Sequence, residues 1–431
     1  MNFEMQHPAD QIVTIMNRIY QYGMTTTSGG NLSIRDENGV IWISPSGIDK
    51  GTLRREDIMK VYPDGTYEGL HTPSVECPFH MAIYKARPDL KAILHAHPPA
   101  LVAFSVSRRL PDVRLIPHAR LLTGDLVYAE YATPGSTKLG ENISAKFAEG
   151  YNTVMLENHG VVLGSNENLY KAFMMFETLD FVARLETGAR TIGNTPRPLT
   201  RAELDQFKRK TRPDMEEYEP HHTSEELALR RDMCILIKRA YHNQLFTSSQ
   251  GTFSCRVGDG FLITPYDQDR EYLEPEDLVL VENGKREKGK IPSRSLKLHE
   301  EIYKQHPEIK TVIVAHPHNI MAFGVTDTEF DARLIPESYL QLRTVHKYPF
   351  GSTFLQPEEL AAQLGKDNPV AIIEYDCVIT TGDSLISAFD KLEVMEYSAK
   401  SVIMTHNVGP IVKITDEEPH RHRKGQRSGA V

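Results

Sequence analysis

The chain is 431 residues long, which exceeds one typical domain and makes two domains of roughly 200 residues the starting expectation. Hydrophobic residues make up 40% and charged residues 25%, the balance of a soluble globular protein with buried cores. The net charge of −9 excludes a general nucleic-acid binder. Four cysteines, Cys77, Cys234, Cys255 and Cys377, have neither paired nor metal-finger spacing and read as reduced thiols of a cytoplasmic protein. No long uncharged apolar run opens the chain, so neither a signal peptide nor a membrane span is expected.

Ile12, Ile15, Met16 and Ile19 recur at helical spacing and predict an amphipathic helix over 9–22, closed at Gly23. The loop 25–33 follows, with Ser28-Gly-Gly-Asn31 inside it. It is either a flexible turn or a backbone loop that wraps an anion, since paired glycines let N–H groups approach an oxyanion. Residues 40–44 read as a strand, closed by the small-residue turn Pro45-Ser-Gly47. From Pro73, the pattern Phe79, Ile83 and Tyr84 predicts a helix with proline in its first turn. Ser74 and Glu76 would then lie in that turn, where free N–H groups favour a phosphate and the dipole favours an acid.

The apolar run Leu90–Leu94 leads into His95-Ala-His97-Pro98. On an extended segment the two histidines point to the same side, with Cα atoms roughly 7 Å apart, and can converge on one metal ion. A lone His-x-His also decorates strand ends without binding metal. Downstream, Thr153–Leu156 reads as a buried strand ending in Glu157-Asn-His159-Gly160. His159 completes a possible three-histidine site with an open fourth position, as a catalytic divalent ion requires. An apolar helix over 168–185 closes this half.

Residues 196–222, rich in proline and mixed charge, read as a linker, partly helical around 200–210. Beyond it the first half recurs at an offset of 219 to 221 residues. Gly30-Asn-Leu-Ser33 matches Gly251-Thr-Phe-Ser254, and Ile43-Ser-Pro45 matches Ile263-Thr-Pro265. Ala96-His-Pro98 matches Ala315-His-Pro317, and Arg114-Leu-Ile-Pro117 matches Arg333-Leu-Ile-Pro336. Such collinearity predicts two copies of one fold. The expected domains are 1–195 with the intact site, 223–412 with a degenerate one, and a polar basic tail over 413–431. In the second copy Val314 stands for His95, Ser295 for Glu76, Thr252 for Asn31 and Asp376 for His159. His316 keeps the identity of His97, and His299 that of His80. His316, His318 and Asp376 are what remains for a second metal site.

Ser28-Gly-Gly-Asn31, Ile43-Ser-Pro-Ser-Gly47, Pro73-Ser-Val-Glu76, His95-Ala-His97 and Glu157-Asn-His-Gly160 occur in an order that resembles the class II aldolase/adducin family, which includes the L-fuculose-phosphate aldolases. The resemblance covers residues 8–190 closely and 224–410 loosely. It implies an α/β fold, a three-layer α/β/α sandwich around a mostly antiparallel sheet, here in two tandem copies. It implies a divalent ion, zinc or manganese, on His95, His97 and His159, and Glu76 as acid/base carboxylate. Gly30, Asn31, Ser46, Gly47 and Ser74 would cradle a substrate phosphate. The family loop often carries a second serine where Val75 stands, which removes one hydroxyl. Family aldolases place a tyrosine after the metal strand, about where this chain has His118, the second catalytic candidate.

The implied activity is cleavage of a small ketose phosphate to dihydroxyacetone phosphate and an aldehyde. Alternatives on the same scaffold are a pentulose-phosphate 4-epimerase, a sugar-phosphate dehydratase, a decarboxylase, or an adducin-like assembly protein without catalysis. The expected partners are a small phosphorylated sugar and further copies of the chain, as a dimer of tandem chains or higher, with no nucleic acid and no membrane.

Overall fold

The computed structural model describes residues 3–193 and 195–415. Of the tail expected over 413–431, residues 416–431 lie outside the described residues. The chain divides into two compact units, Met1–Ala183 and Arg184–Val431.

In the first unit, helix α1 (Pro8–Gln21) starts on a proline. The His7 ring accepts a hydrogen bond from the Ala9 N–H at 3.2 Å, and Ile12, Ile15, Met16 and Ile19 are buried. The strands are β1 (Asn31–Arg35), β2 (Ile41–Ile43), β3 (Met59–Val61), β4 (Tyr67–Glu68), β5 (Ala92–Ala96), β6 (Leu126–Ala129), β7 (Thr153–Leu156) and β8 (Val161–Ser165). They form one sheet in the order β4-β3-β2-β1-β5-β8-β7-β6, antiparallel except for β6 against β7. Helices α2 (Cys77–Ala86), α3 (Pro99–Val106), α4 (Pro117–Thr123), α5 (Thr137–Ala148) and α6 (Leu169–Thr191) complete the element order. Ile43, Met59, Ile93, Val154 and Val162 of the sheet share a core with Phe79 and Ile83 of α2 and with Ile143 and Phe147 of α5. Residues of opposite parity, Leu32, Leu94 and Leu163, are also buried, so both faces of the sheet are covered.

The helix expected from Pro73 begins four residues later, at Cys77. Pro73 instead pairs with Pro45 in an isolated antiparallel bridge, and the Ser74 N–H donates to the Ser44 carbonyl. The extended backbone of 73–74 is tied to the 45–47 turn, which keeps it out of the helix. Glu76 takes the N-cap position, yet its side chain makes no capping hydrogen bond.

The second unit repeats the plan. Its strands are β9 (Glu217–Tyr218), β10 (Thr252–Val257), β11 (Gly260–Ile263), β12 (Val279–Glu282), β13 (Lys285–Glu287), β14 (Thr311–Ala315), β15 (His346–Tyr348), β16 (Val370–Ile373) and β17 (Cys377–Gly382). Their order, β15-β16-β17-β14-β10-β11-β12-β13-β9, is the first sheet again with one strand added at its edge. That strand, β9, and helix α7 (Arg201–Phe207) both come from the stretch expected as a linker, and β9 pairs parallel with β13. Helices α8 (Ser224–His242) and α9 (Leu296–Gln305) correspond to α1 and α2.

Two registers position the first unit's cleft. Antiparallel pairing of β1 with β5 sets Asn31 opposite His95. Pairing of β5 with β8 sets Ala96 opposite Val161, and the four residues joining β7 to β8 carry His159. Asn158 accepts a left-handed backbone (φ 52°) in that turn. Gly30, just before β1, is left-handed at φ 72°, and a Cβ there would lie 2.7 Å from the His95 carbonyl oxygen. Gly30→Ala is expected to destabilise the fold by about 1–2 kcal/mol from backbone conformation alone, and more through displacement of β5. Thermal melting reads the first effect and bound-metal content the second.

Candidate metal centre

His95 is fully buried at the end of β5. Its Nδ1 lies 2.9 Å from the Val161 carbonyl, so Nδ1 carries a hydrogen and Nε2 is the nitrogen left for a ligand. His97 lies two residues on, with its Nε2 2.9 Å from that of His95. His159 comes in from the β7–β8 turn, and one ligand nitrogen from each ring lies within 4.8 Å of the other two. A tetrahedral divalent ion at about 2.0–2.1 Å from each nitrogen holds them roughly 3.3 Å apart. Burial pushes His97 down to about 3 and His159 to about 4, with the neighbouring His95 adding to the shift. His95 moves the other way: burial would lower it, but the Glu76 carboxylate and the Val161 carbonyl override burial and raise it. His97 and His159 are neutral donors, and a borderline-soft cation would take the place of the proton that Glu76 holds on His95.

Glu76 stands beside this group, with Oε2 3.3 Å from His95 Nε2 and Oε1 3.5 Å from His159 Nε2. Asn31 Nδ2 donates to Oε2 at 2.7 Å, whereas the buried Oε1 has no hydrogen-bond partner. Burial alone would raise the Glu76 carboxyl. The His95 ring, its hydrogen bond and that of Asn31 override burial and hold the group well below the usual carboxylate range. An orphaned carboxylate oxygen facing three imidazoles fits a bound cation.

A hydrogen-bond chain fixes the carboxylate from behind. Because Asn31 donates to Glu76, its carbonyl oxygen faces His80 Nε2, which must carry the hydrogen. His80 Nδ1 then accepts from Ser33 Oγ at 2.7 Å, and Ser33 Oγ accepts from the Tyr84 hydroxyl at 3.0 Å. His80 is fully buried, and burial pushes it down to about 3, which keeps it neutral.

The open side is a cleft of about 350 Å³. Gly30, Asn31, Ser46, Gly47, Ser74, Glu76, His97 and His159 line it; His95 is fully buried beside Glu76 and His97 and is not itself among the lining residues. Val75 also lines it, with 64% of its surface exposed. His118 is the second residue of α4 and is not among the lining residues. Lys50 is, although nothing in its own sequence neighbourhood marked it. Its side chain is buried, and its ammonium donates to the Pro45 carbonyl at 2.6 Å. The signal available was the repeat, which places Arg270 at the same position of the second copy.

Of the residues left for a second metal site, His316 and Asp376 lie close enough to act on each other, but with His318 they form no three-ligand group among the described residues. His318 Nδ1 lies 3.7 Å from Glu396, and Asp376 pairs with Lys210 instead.

Two predictions follow from this geometry. Replacing His159 with alanine should take bound metal from about one ion per chain to less than about a tenth of that, since a two-histidine site is incomplete; elemental analysis decides it. Burial pushes the Lys50 ammonium down from 10.5 to about 8. The fold therefore carries the cost of a buried charge below pH 8. That cost is relieved as pH rises toward 10.5, where the folded chain has lost a proton the unfolded chain keeps. Lys50→Met should abolish this alkaline rise in the melting temperature of the metal-stripped chain, and an unaltered pH profile would contradict the assignment.

The family model described as Class II Aldolase and Adducin N-terminal domain matches residues 10–187 and again 231–403. The chain is 33% identical over 184 residues to a 3-oxo-tetronate 4-phosphate decarboxylase of Pectobacterium atrosepticum, covering 42% of this chain and 84% of that protein. It is 30% identical over 214 residues to a 5-deoxy-D-ribulose 1-phosphate aldolase of Bacillus thuringiensis serovar kurstaki, covering 48% and 96%. An L-fuculose phosphate aldolase of Methanococcus maripaludis is 33% identical over 178 residues, covering 41% and 93%. Each relative is thus spanned almost entirely by less than half of this chain. With both halves matched by one family model and its histidine cluster assembled in the first, the chain belongs to the class II aldolase and adducin family, as a tandem pair of its domains.

Proposed function

We propose that the first unit is a metal-dependent lyase that cleaves a small ketose phosphate to dihydroxyacetone phosphate and an aldehyde. The observation that carries this reading is the orphaned Glu76 carboxylate oxygen facing three converging imidazoles at an open cleft. His95, His97 and His159 would hold zinc or manganese. Such an ion supplies a Lewis acid that neutralises charge developing on the substrate's carbonyl and adjacent hydroxyl oxygens.

The chain's own residues do the rest. Cleavage breaks the bond between the carbon adjacent to the carbonyl and the hydroxyl-bearing carbon beyond it, and leaves the electron pair on the former as an enediolate. The hydroxyl on the departing carbon loses its proton and becomes the aldehyde carbonyl. The enediolate carbon gains one proton, so the overall reaction is proton-neutral. Glu76 is the group placed to move a proton, held ionised and oriented by Asn31 and the His80–Ser33–Tyr84 chain. Ser46, Gly47, Ser74 and the Gly30 loop would take the phosphate, with the Lys50 ammonium supplying positive charge where Val75 lacks a hydroxyl. No part is assigned to His118.

A second reading is decarboxylation of a phosphorylated 3-oxo acid, favoured by the decarboxylase relative at 33% identity. It uses the same enolate stabilisation, with carbon dioxide as the departing group. Incubation of the metal-loaded chain with ketose phosphates and with 3-oxo acid phosphates, followed by mass detection, separates the two. Release of neither an aldehyde nor carbon dioxide from any member of the panel would sink both. Glu76→Gln should lower turnover by about 10²–10⁴-fold with metal retained. A fully active Glu76→Gln chain would remove Glu76 from the chemistry.

A further inference from the structure

The second unit repeats the backbone plan that builds the first cleft. Thr252 stands opposite Val314 as Asn31 stands opposite His95. Pro265 bridges Pro292 as Pro45 bridges Pro73, which places Ser293 at the position of Ser74 and Arg294 at that of Val75. The β16–β17 turn keeps its left-handed residue, Tyr375 at φ 59° for Asn158 at 52°, so Asp376 occupies the place of His159. The hydrogen-bond chain persists as well, with Ser254 Oγ 2.6 Å from His299 Nδ1 and 2.7 Å from the Tyr303 hydroxyl.

The polar groups at this place are different. The Lys210 ammonium lies 3.1 and 3.3 Å from the two carboxylate oxygens of Asp376, over the faces of Phe207 and Phe354. Thr353 Oγ1 donates to the same carboxylate. Arg294 is held by the rings of Phe207 and Tyr266, and Arg212 stacks on Tyr266 from 4.9 Å. Neither arginine has a carboxylate partner among the described residues. Lys210 and Arg294 both act electrostatically on His316, alongside the carboxylate of Asp376. Two buried ring nitrogens, His299 Nε2 and His316 Nδ1, have no hydrogen-bond partner. With the polarity of the first unit's chain, His299 Nε2 carries a hydrogen and points to where Thr252 has replaced the longer Asn31. Excess cationic charge and an orphaned donor, set among hydroxyls at the N-terminus of the ten-residue helix α9, call for an anion.

We infer that the second unit holds a metal-free binding site for a small phosphorylated ligand, with the Lys210 ammonium in the place of the ion and Arg294, Ser293 and Thr252 around the phosphate. The site is independent of the reaction proposed for the first unit. It gives the degenerate copy a task as a binding module and accounts for a loop that exchanged a serine position for arginine.

The test uses the full chain, stripped of metal by a chelator and titrated calorimetrically with inorganic phosphate. Ser74→Ala reports on the first unit, and Arg294→Ala and Arg294→Lys report on the second. Phosphate binding that survives Ser74→Ala, weakens about tenfold or more in Arg294→Ala and partly returns in Arg294→Lys is the expected result. Each variant is checked for wild-type melting and for metal content of the first unit. Should Lys210→Met alone fail to fold, Lys210→Met/Asp376→Asn removes both charges together and should still weaken phosphate. Absence of phosphate binding, an isotherm unchanged by Arg294→Ala, loss confined to Ser74→Ala, or acetate binding as well as phosphate each overturns the inference.

Discussion

The pairing of β1 with β5 is the constraint on which the first unit's chemistry depends. Strand side chains alternate, so the register that sets Asn31 opposite His95 also decides which face each neighbour takes. A slip of one residue would send His95 and His97 to the opposite face and bring Ala96 to the cleft. It would also break the link from Asn31 to Glu76. The register is held by apolar residues of both parities, Ile93 on one face and Leu94 on the other, both fully buried.

That register carries an unusual electrostatic load. Glu76 sits buried beside three rings and is reached by a one-way chain of donors that starts at Tyr84. Each link has its polarity set by the next, because a carboxylate only accepts. A neutral His80 in the middle transmits orientation without adding charge. Polar chains of this kind are costly when one member is missing, since the remaining atoms stay buried and unpaired. The second unit displays that outcome at His299, where Thr252 replaces Asn31 and the chain stops short.

Comparing the two units separates what the fold needs from what the chemistry needs. Sheet order, the proline bridges, the Ser–His–Tyr chain and a buried cation beneath the proline turn occur in both. Lys50 donates to the Pro45 carbonyl and Arg270 to the Pro265 carbonyl, each satisfying a turn that turns its oxygens inward. Of the three metal ligands only His97 keeps its identity, as His316, while the carboxylate and the asparagine are replaced in the second unit. The scaffold therefore tolerates exchange of most of its polar tips while its apolar layers remain in place.

Local patterns in the sequence determined a good deal of this. The 220-residue repeat, the histidine spacing and the strand-ending Glu-Asn-His-Gly are short-range features that any fold of this chain must respect. They suggested His95, His97 and His159 as a possible ligand set, and it was the family resemblance of the ordered motifs that added Glu76 to the group. The start of α2 was misplaced by four residues because proline at 73 suits a helix entry equally well as an extended bridge. Only the partner strand at Pro45 decides between them. Lys50 and His80 were silent for a similar reason: a lone lysine or histidine has no local pattern, and its meaning comes from burial against residues far away in the chain. His118 was placed by its family position, and the tertiary structure puts it on α4, where it is not among the residues lining the cleft. Lys210 is the clearest case. It lies in a stretch that composition marks as a linker, and it acquires a role only because folding carries it to Asp376, 166 residues further along the chain.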